Sequence, residues 1–230
     1  MKNISVERLV LALLALAAAG IAPNIFPVAQ AGYAKMSDLA VWFLLPSIGM
    51  LAIVIAITFW RGHRVLGHRL VAGAAAGAVA TLGLEAIRMT SFHFGGMPGD
   101  MPRLLGVLLT DRFMLGPSTF SDVSGFAYHF WNGACFGLIF SVVLGKRSSV
   151  WTLIYGQLIG LGFLASPAVV AMGVGFFASQ MPVMIVTVIL AHLVYGLLLG
   201  FVLRRWLPEC TWLCTSCATD REDVGLKVAC

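Results

Sequence analysis

Leu39-Ala-Val-Trp-Phe-Leu-Leu-Pro-Ser-Ile-Gly-Met-Leu-Ala-Ile-Val-Ile-Ala-Ile-Thr-Phe-Trp60 runs without one charged side chain. At ~1.5 Å of rise per residue, a helix of that length covers about 33 Å, enough to cross a hydrocarbon core of ~30 Å. The run reads as a transmembrane helix, and similar apolar blocks recur on both sides of it. Spans are expected at Leu9 to Ala29, Leu39 to Trp60, Leu70 to Ile87, Val123 to Leu144, Val150 to Gly173 and Pro182 to Leu203. The fold class is therefore all-α, a polytopic membrane helix bundle of about six transmembrane helices.

Composition agrees. Of 230 residues, 60% are hydrophobic and 11% charged, against roughly 25% charged in an ordinary soluble domain. The 25 glycines would weaken soluble helices, but in lipid they let helix backbones approach closely. The net charge of +5 does not point to nucleic acid, because the basic residues stand singly or in pairs at the ends of apolar blocks and form no binding face. They read as topology signals. With the N-terminus inside, Lys2, Arg8, Arg61, Arg64, Arg69, Lys146, Arg147, Arg204, Arg205, Arg221 and Lys227 fall on the cytoplasmic side, leaving Lys35, Arg88, Arg103 and Arg112 outside. Both termini are expected in the cytoplasm, unless the first segment is cleaved, of a multi-pass protein of a cell membrane, in a bacterium the inner membrane.

Residues 1-31 admit two readings. The apolar run Leu9 to Ala22 is followed by Pro23, Asn24 and Pro27, which weaken a membrane helix. Together with Lys2, Arg8 and Ala29-Gln30-Ala31, the run also matches a cleavable secretory signal. Residues 32-203 form the bundle and 204-230 a cytoplasmic tail. Within the bundle, the outer loop 89-122 carries the apolar run Leu104 to Leu109, expected to lie on the membrane or dip into it, and Ser121 and Asp122 are expected N-caps of the next helix.

Two helical hairpins, 70-147 and 150-205, share a pattern. His129-Phe-Trp-Asn-Gly133-Ala-Cys-Phe-Gly137 and His192-Leu-Val-Tyr-Gly196-Leu-Leu-Leu-Gly200 both read H-x-x-x-G-x-x-x-G. The preceding helices carry Gly73-x-x-x-Gly77 and Gly156-x-x-x-Gly160. The hairpins are expected to be internal repeats of one orientation. Residues four apart share a helix stripe, so each histidine should face a neighbouring helix. Each imidazole either hydrogen-bonds across helices as structural glue, or the pair forms a shared metal, haem or pigment site or a proton relay. Glu85 and Arg88, three apart, are expected as an ion pair, either at the interface or on a conduction path.

Soft metal ligands lie toward both ends. Met89-x-x-x-His93-x-x-x-Met97-x-x-x-Met101 offers thioether and imidazole groups of the kind Cu(I) prefers, although Gly95, Gly96 and Pro98 break a continuous helix there and methionine is a common packing residue. Cys210-x-x-x-Cys214-x-x-Cys217 in the tail could hold a metal, carry palmitate or be incidental.

Ser124-Gly-Phe-Ala-Tyr128 and Ala191-His192 resemble pieces of the rhomboid intramembrane serine proteases. The resemblance implies Ser124 as nucleophile and His192 as base. Asp122 stands where that family has glycine two before the serine, and the second helix lacks its oxyanion donors. The function expected first is non-enzymatic: binding or transport of a small solute, with copper the best named ion, through a site between the hairpins. The alternative is an accessory subunit of a membrane redox or photosynthetic complex, binding haem b or pigment through His129 and His192 with Glu85 and Arg88 beside them. Expected partners are the lipid bilayer, other membrane subunits or a second copy of the chain.

Overall fold

The computed structural model describes residues 6–208, and those residues form helices and loops only. Five helices are long and apolar enough to cross a membrane: α1 (Val6–Gln30), α2 (Met36–Trp60), α3 (Arg64–His93), α5 (Thr119–Val143) and α8 (Pro182–Trp206). Between them lie α4 (Met101–Leu109), α6 (Ser149–Leu164) and α7 (Pro167–Ala171). The expected fifth span, Val150 to Gly173, is thus broken. Pro167 has no amide hydrogen and forces Ser166 out of the helical region, to ψ 155°, so the helix stops at Leu164. At 16 residues α6 is about 24 Å long, short of the hydrocarbon core.

Proline inside α1 and α2 is accommodated rather than disruptive. α1 continues through Pro23 and Pro27 to Gln30, and Asn24 Nδ2 donates to the Gly20 carbonyl at 2.7 Å. In α2 a π-turn over Ala40–Leu44 precedes Pro46, a wider turn that takes up the missing amide and the ring's clash with the carbonyl four residues back. Both remain single apolar rods.

α3 is the central element, flanked by α5 and α8. Arg69 meets Ser141, Gly77 meets Gly133, and Glu85 meets His129, so α3 and α5 are antiparallel. Ser91 Oγ and Thr187 Oγ1 lie 2.5 Å apart near one end of α3, and Gly83 packs on Leu198 further along, so α8 is antiparallel to α3 as well. α6 is antiparallel to α8: Gly156 meets Gly196, and Arg204 donates to the Ser149 hydroxyl. α6 and α3 therefore run in the same direction.

Glycine is required where these backbones touch. A Cβ at Gly77 would sit 2.1 Å from the Gly133 carbonyl oxygen, and one at Gly137 2.3 Å from that of Gly73. In the other pair a Cβ at Gly156 would lie 2.5 Å from the His192 oxygen, and one at Gly196 2.6 Å from that of Thr152. Such close approach maximises dispersion contact where water offers no driving force. The packing register sets Gly77 beside Gly133 and Gly156 beside Gly196, with Thr152 under Gly200. It thus matches Gly77 with Gly156, one turn from the register read off the glycine pairs alone.

Several local expectations shift. α3 extends beyond Leu70 to Ile87 at both ends and buries Arg69, whose Nη1 donates to the Ser141 carbonyl at 3.0 Å. Arg69 is a helix-contact residue, not part of a cytoplasmic loop. α5 starts earlier than Ser121 and Asp122 suggest: Ser118 is the N-cap and forms a capping box with Ser121. The run Leu104 to Leu109 is the helix α4, held on α5 by backbone contact, a Cβ at Gly106 falling 1.8 Å from the Ser121 oxygen. Outside the helices, Lys35 Nζ bonds Asp111 at 2.9 Å, and that carboxylate holds the exposed ammonium above its ordinary pKa.

Candidate functional site

Above the glycine contacts, toward the end of the bundle that carries residues 94–118, the helices separate around a cavity of about 550 Å³. Thr81, Phe136, Tyr155 and Tyr195 form its floor. Tyr155 Oη donates to the Phe136 carbonyl at 3.0 Å and Tyr195 Oη to that of Gly133 at 2.9 Å, tying α6 and α8 to α5. Met97, Met101 and Leu105 lie at the opposite end with Arg88 and Ser166. The walls between are mostly apolar, among them Phe26, Leu84, Leu158 and Phe163.

One side is open. α1 packs on α2, α5 and α7 but not along α6, and the cavity reaches the surface between α1 and α6 at Asn24, Leu158 and Gly162. Leu158 is 60% exposed. That surface belongs to the apolar waist of the bundle, so the opening faces sideways.

The charged corner belongs to α3. Arg88 is 4% exposed and Glu85 6%. Arg88 Nε donates to Glu85 Oε2 at 2.8 Å, and Nη2 donates to both Glu85 Oε1 and Asp100 Oδ1, the latter at 2.9 Å. The expected i,i+3 pair is present, buried rather than at an interface, and Asp100 adds a second carboxylate. His129 Nε2 lies 3.2 Å from Glu85 Oε2, close enough for attraction but not aligned as a hydrogen bond. Arg88 Nη1, His129 Nε2 and Asn132 Oδ1 are all buried with no hydrogen-bond partner among the described residues, and all three side chains line the cavity.

His192 lines the same cavity from α8, with Nδ1 2.8 Å from the Val188 carbonyl, one turn back. A Cβ at Gly160 would lie 2.9 Å from its ring, so the glycine makes room for the imidazole. His129, His192, Arg88, Met97 and Met101 thus come together, with Glu85 behind them. Met89 and His93 do not join. α3 ends at His93 and the chain reverses at Gly95, φ 76°, so Met89 and His93 stay on the outside of the helix while Met97 and Met101 turn inward. His93 Nδ1 lies 2.7 Å from the Met89 carbonyl. Among the described residues no three His, Cys, Asp or Glu side chains group as a metal site. Cys210, Cys214 and Cys217 lie outside the described residues.

The serine-histidine dyad is not formed. Ser124 Oγ donates to the Phe120 carbonyl at 2.8 Å and lines a separate groove with Leu44, Ile48 and Trp131, whereas His192 lines the central cavity. Ser124 lies five positions before His129 on α5, about 140° around a helix, so the two face different neighbours. Asn132, Asp100, Thr187 and the two tyrosines were not singled out by sequence. For Asn132 a signal existed, since it stands three residues after His129 on the same helix face.

The chain matches no family model, no curated protein and no solved structure.

Proposed function

We propose that this chain is an integral membrane protein that binds a small solute, and passes it across the bilayer, in the cavity between the α3/α5 and α6/α8 hairpins. One observation carries the reading: Arg88, His129 and Asn132, each with a buried polar atom that makes no hydrogen bond among the described residues, line an otherwise largely apolar cavity of about 550 Å³. Buried polar groups are nearly always satisfied, and a largely apolar pocket with a few convergent polar groups is the usual form of a small-molecule site. In this reading α6 with α7 makes a sixth crossing, because it returns the chain from the end where α5 finishes to the end where α8 begins. Both termini are then cytoplasmic, with Arg61, Arg64, Lys146, Arg147, Arg204 and Arg205 at that face. The hairpins are repeats, and α1 is retained, since Pro23, Asn24 and Phe26 supply part of the cavity wall.

Native mass spectrometry of the full chain released from phosphatidylcholine nanodiscs tests this. Wild type should carry a small-molecule adduct that Ala191→Phe, which fills the cavity, lacks. Equal adducts in both would overturn the reading.

Copper is a second reading, favoured by Met97 and Met101 lining one cavity with His129 and His192. Protein from copper-supplied cells should then contain copper, and the Met97→Leu/Met101→Leu double variant should lose it. Copper-free wild type removes this reading. A haem on the two histidines would give intense visible absorption, which an organic solute does not.

A further inference from the structure

We infer that the base of the α6/α8 hairpin holds an anionic phospholipid, its phosphodiester among Arg147, Arg204 and Arg205 and its acyl chains along the lipid-facing side of α6 and α8. This partner is separate from any ligand of the cavity and stands or falls without it.

Basic residues gather at one end of the bundle, where α3 and α6 begin and α5 and α8 finish. Arg61 belongs to the turn between α2 and α3, Lys146 and Arg147 to the turn between α5 and α6, and Arg204 and Arg205 to the last turn of α8. The acid at that end, among the described residues, is Glu7, and it is taken. Arg61 Nε donates to Glu7 Oε1 at 2.7 Å.

The α6/α8 base has no such counter-charge. Arg147 Nε donates to the Leu144 carbonyl at 3.2 Å, Arg204 donates to the Ser149 hydroxyl, and Arg205 lies over the Phe201 ring, 4.4 Å from its centroid. All three arginines are exposed, and none pairs with a carboxylate among the described residues. Neutral oxygens and a ring leave the guanidinium charge uncompensated and most of its five N–H groups free to donate. The positive-inside rule asks for basic residues at this end, but not for a cluster left without acids.

Two observations favour a lipid over a dissolved anion. Trp151, in the first turn of α6, and Trp206, which ends α8, are half exposed and flank the arginines, the placement aromatic rings take at a membrane surface. Beyond them the outward surface stays apolar, with Ile154 and Leu158 exposed on α6 and Leu197 and Phe201 on α8. The matching ligand is negative at one end and hydrocarbon below it. Guanidinium forks bind phosphate oxygens in pairs, and each basic residue near an anionic membrane surface is worth about fivefold in affinity. Phosphatidylcholine offers the same phosphate but cancels its charge with choline, so net charge decides between lipids.

The test places the full chain in nanodiscs of equal parts phosphatidylglycerol and phosphatidylcholine, releases it into detergent and counts the bound lipids by native mass spectrometry. Wild type should retain phosphatidylglycerol over phosphatidylcholine by about fivefold or more. Arg204→Gln should lower that preference about fivefold, whereas Arg61→Gln, which removes one positive charge from the same end but from a paired site, should leave it unchanged. Arg205→Gln is the second variant should Arg204→Gln not fold. No preference in wild type would overturn the inference, and an equal fall in the Arg61 and Arg204 variants would reduce it to diffuse attraction without a site. A preference that emerges only after Asp220, Glu222 and Asp223 are neutralised would assign the surface to the chain's own tail instead.

Discussion

The α3/α5 and α6/α8 hairpins share a stripe, a histidine followed by glycines at four-residue spacing, yet the two histidines meet different surroundings. His129 faces Glu85, behind which stand Arg88 and Asp100. His192 faces Gly160 and satisfies Nδ1 on its own helix. The helix opposite His129 continues to His93 and carries charge, whereas the helix opposite His192 stops at Leu164, before any charged residue. One hairpin supplies the polar corner of the cavity and the other an aromatic and aliphatic wall. A common packing device thus leaves chemistry free to diverge one turn above it.

The difference can be broken most severely at Glu85. Glu85→Ala leaves Arg88 buried with Asp100 as its remaining carboxylate and should destabilise by about 3–5 kcal/mol, as breaking buried ion pairs does. Gln157→Ala, on the other hairpin, removes only an exposed bond to the Ile189 carbonyl and should change melting little. Melting in nanodiscs measures both, and equal losses would erase the distinction.

What the hairpins share comes next in size. Gly77→Val and Gly156→Val both drive a Cβ into backbone and should each destabilise by about 1–3 kcal/mol or more. Gly162→Ala, where a Cβ meets nothing within 4 Å, should be neutral. A smaller effect, about 1 kcal/mol, is expected for Tyr195→Phe, which leaves the Gly133 carbonyl short of a donor. Lys35→Ala, at an exposed loop pair, should leave melting unchanged.

The apolar blocks made the long helices legible, because span length and charge exclusion are properties of a single segment. Glu85 with Arg88, and the two histidines, were legible as polar residues that lipid would not tolerate unpartnered. Asp100 was not, since only the reversal at Gly95 carries the loop back over Arg88. The broken span after α6 was hidden because Pro167 lies in a run that remains apolar to Gly173, and hydropathy does not register a missing amide. Ser124 and His192 showed the opposite failure: residue types suited to a dyad, placed on faces that never meet.

The most direct test is cryo-electron microscopy of the full chain in lipid nanodiscs, with a rigid antibody fragment bound. The account predicts non-protein density in the cavity between the α3/α5 and α6/α8 hairpins, extending toward the gap between α1 and α6. A closed gap with α1 packed along α6, or a cavity with no such density, would contradict it.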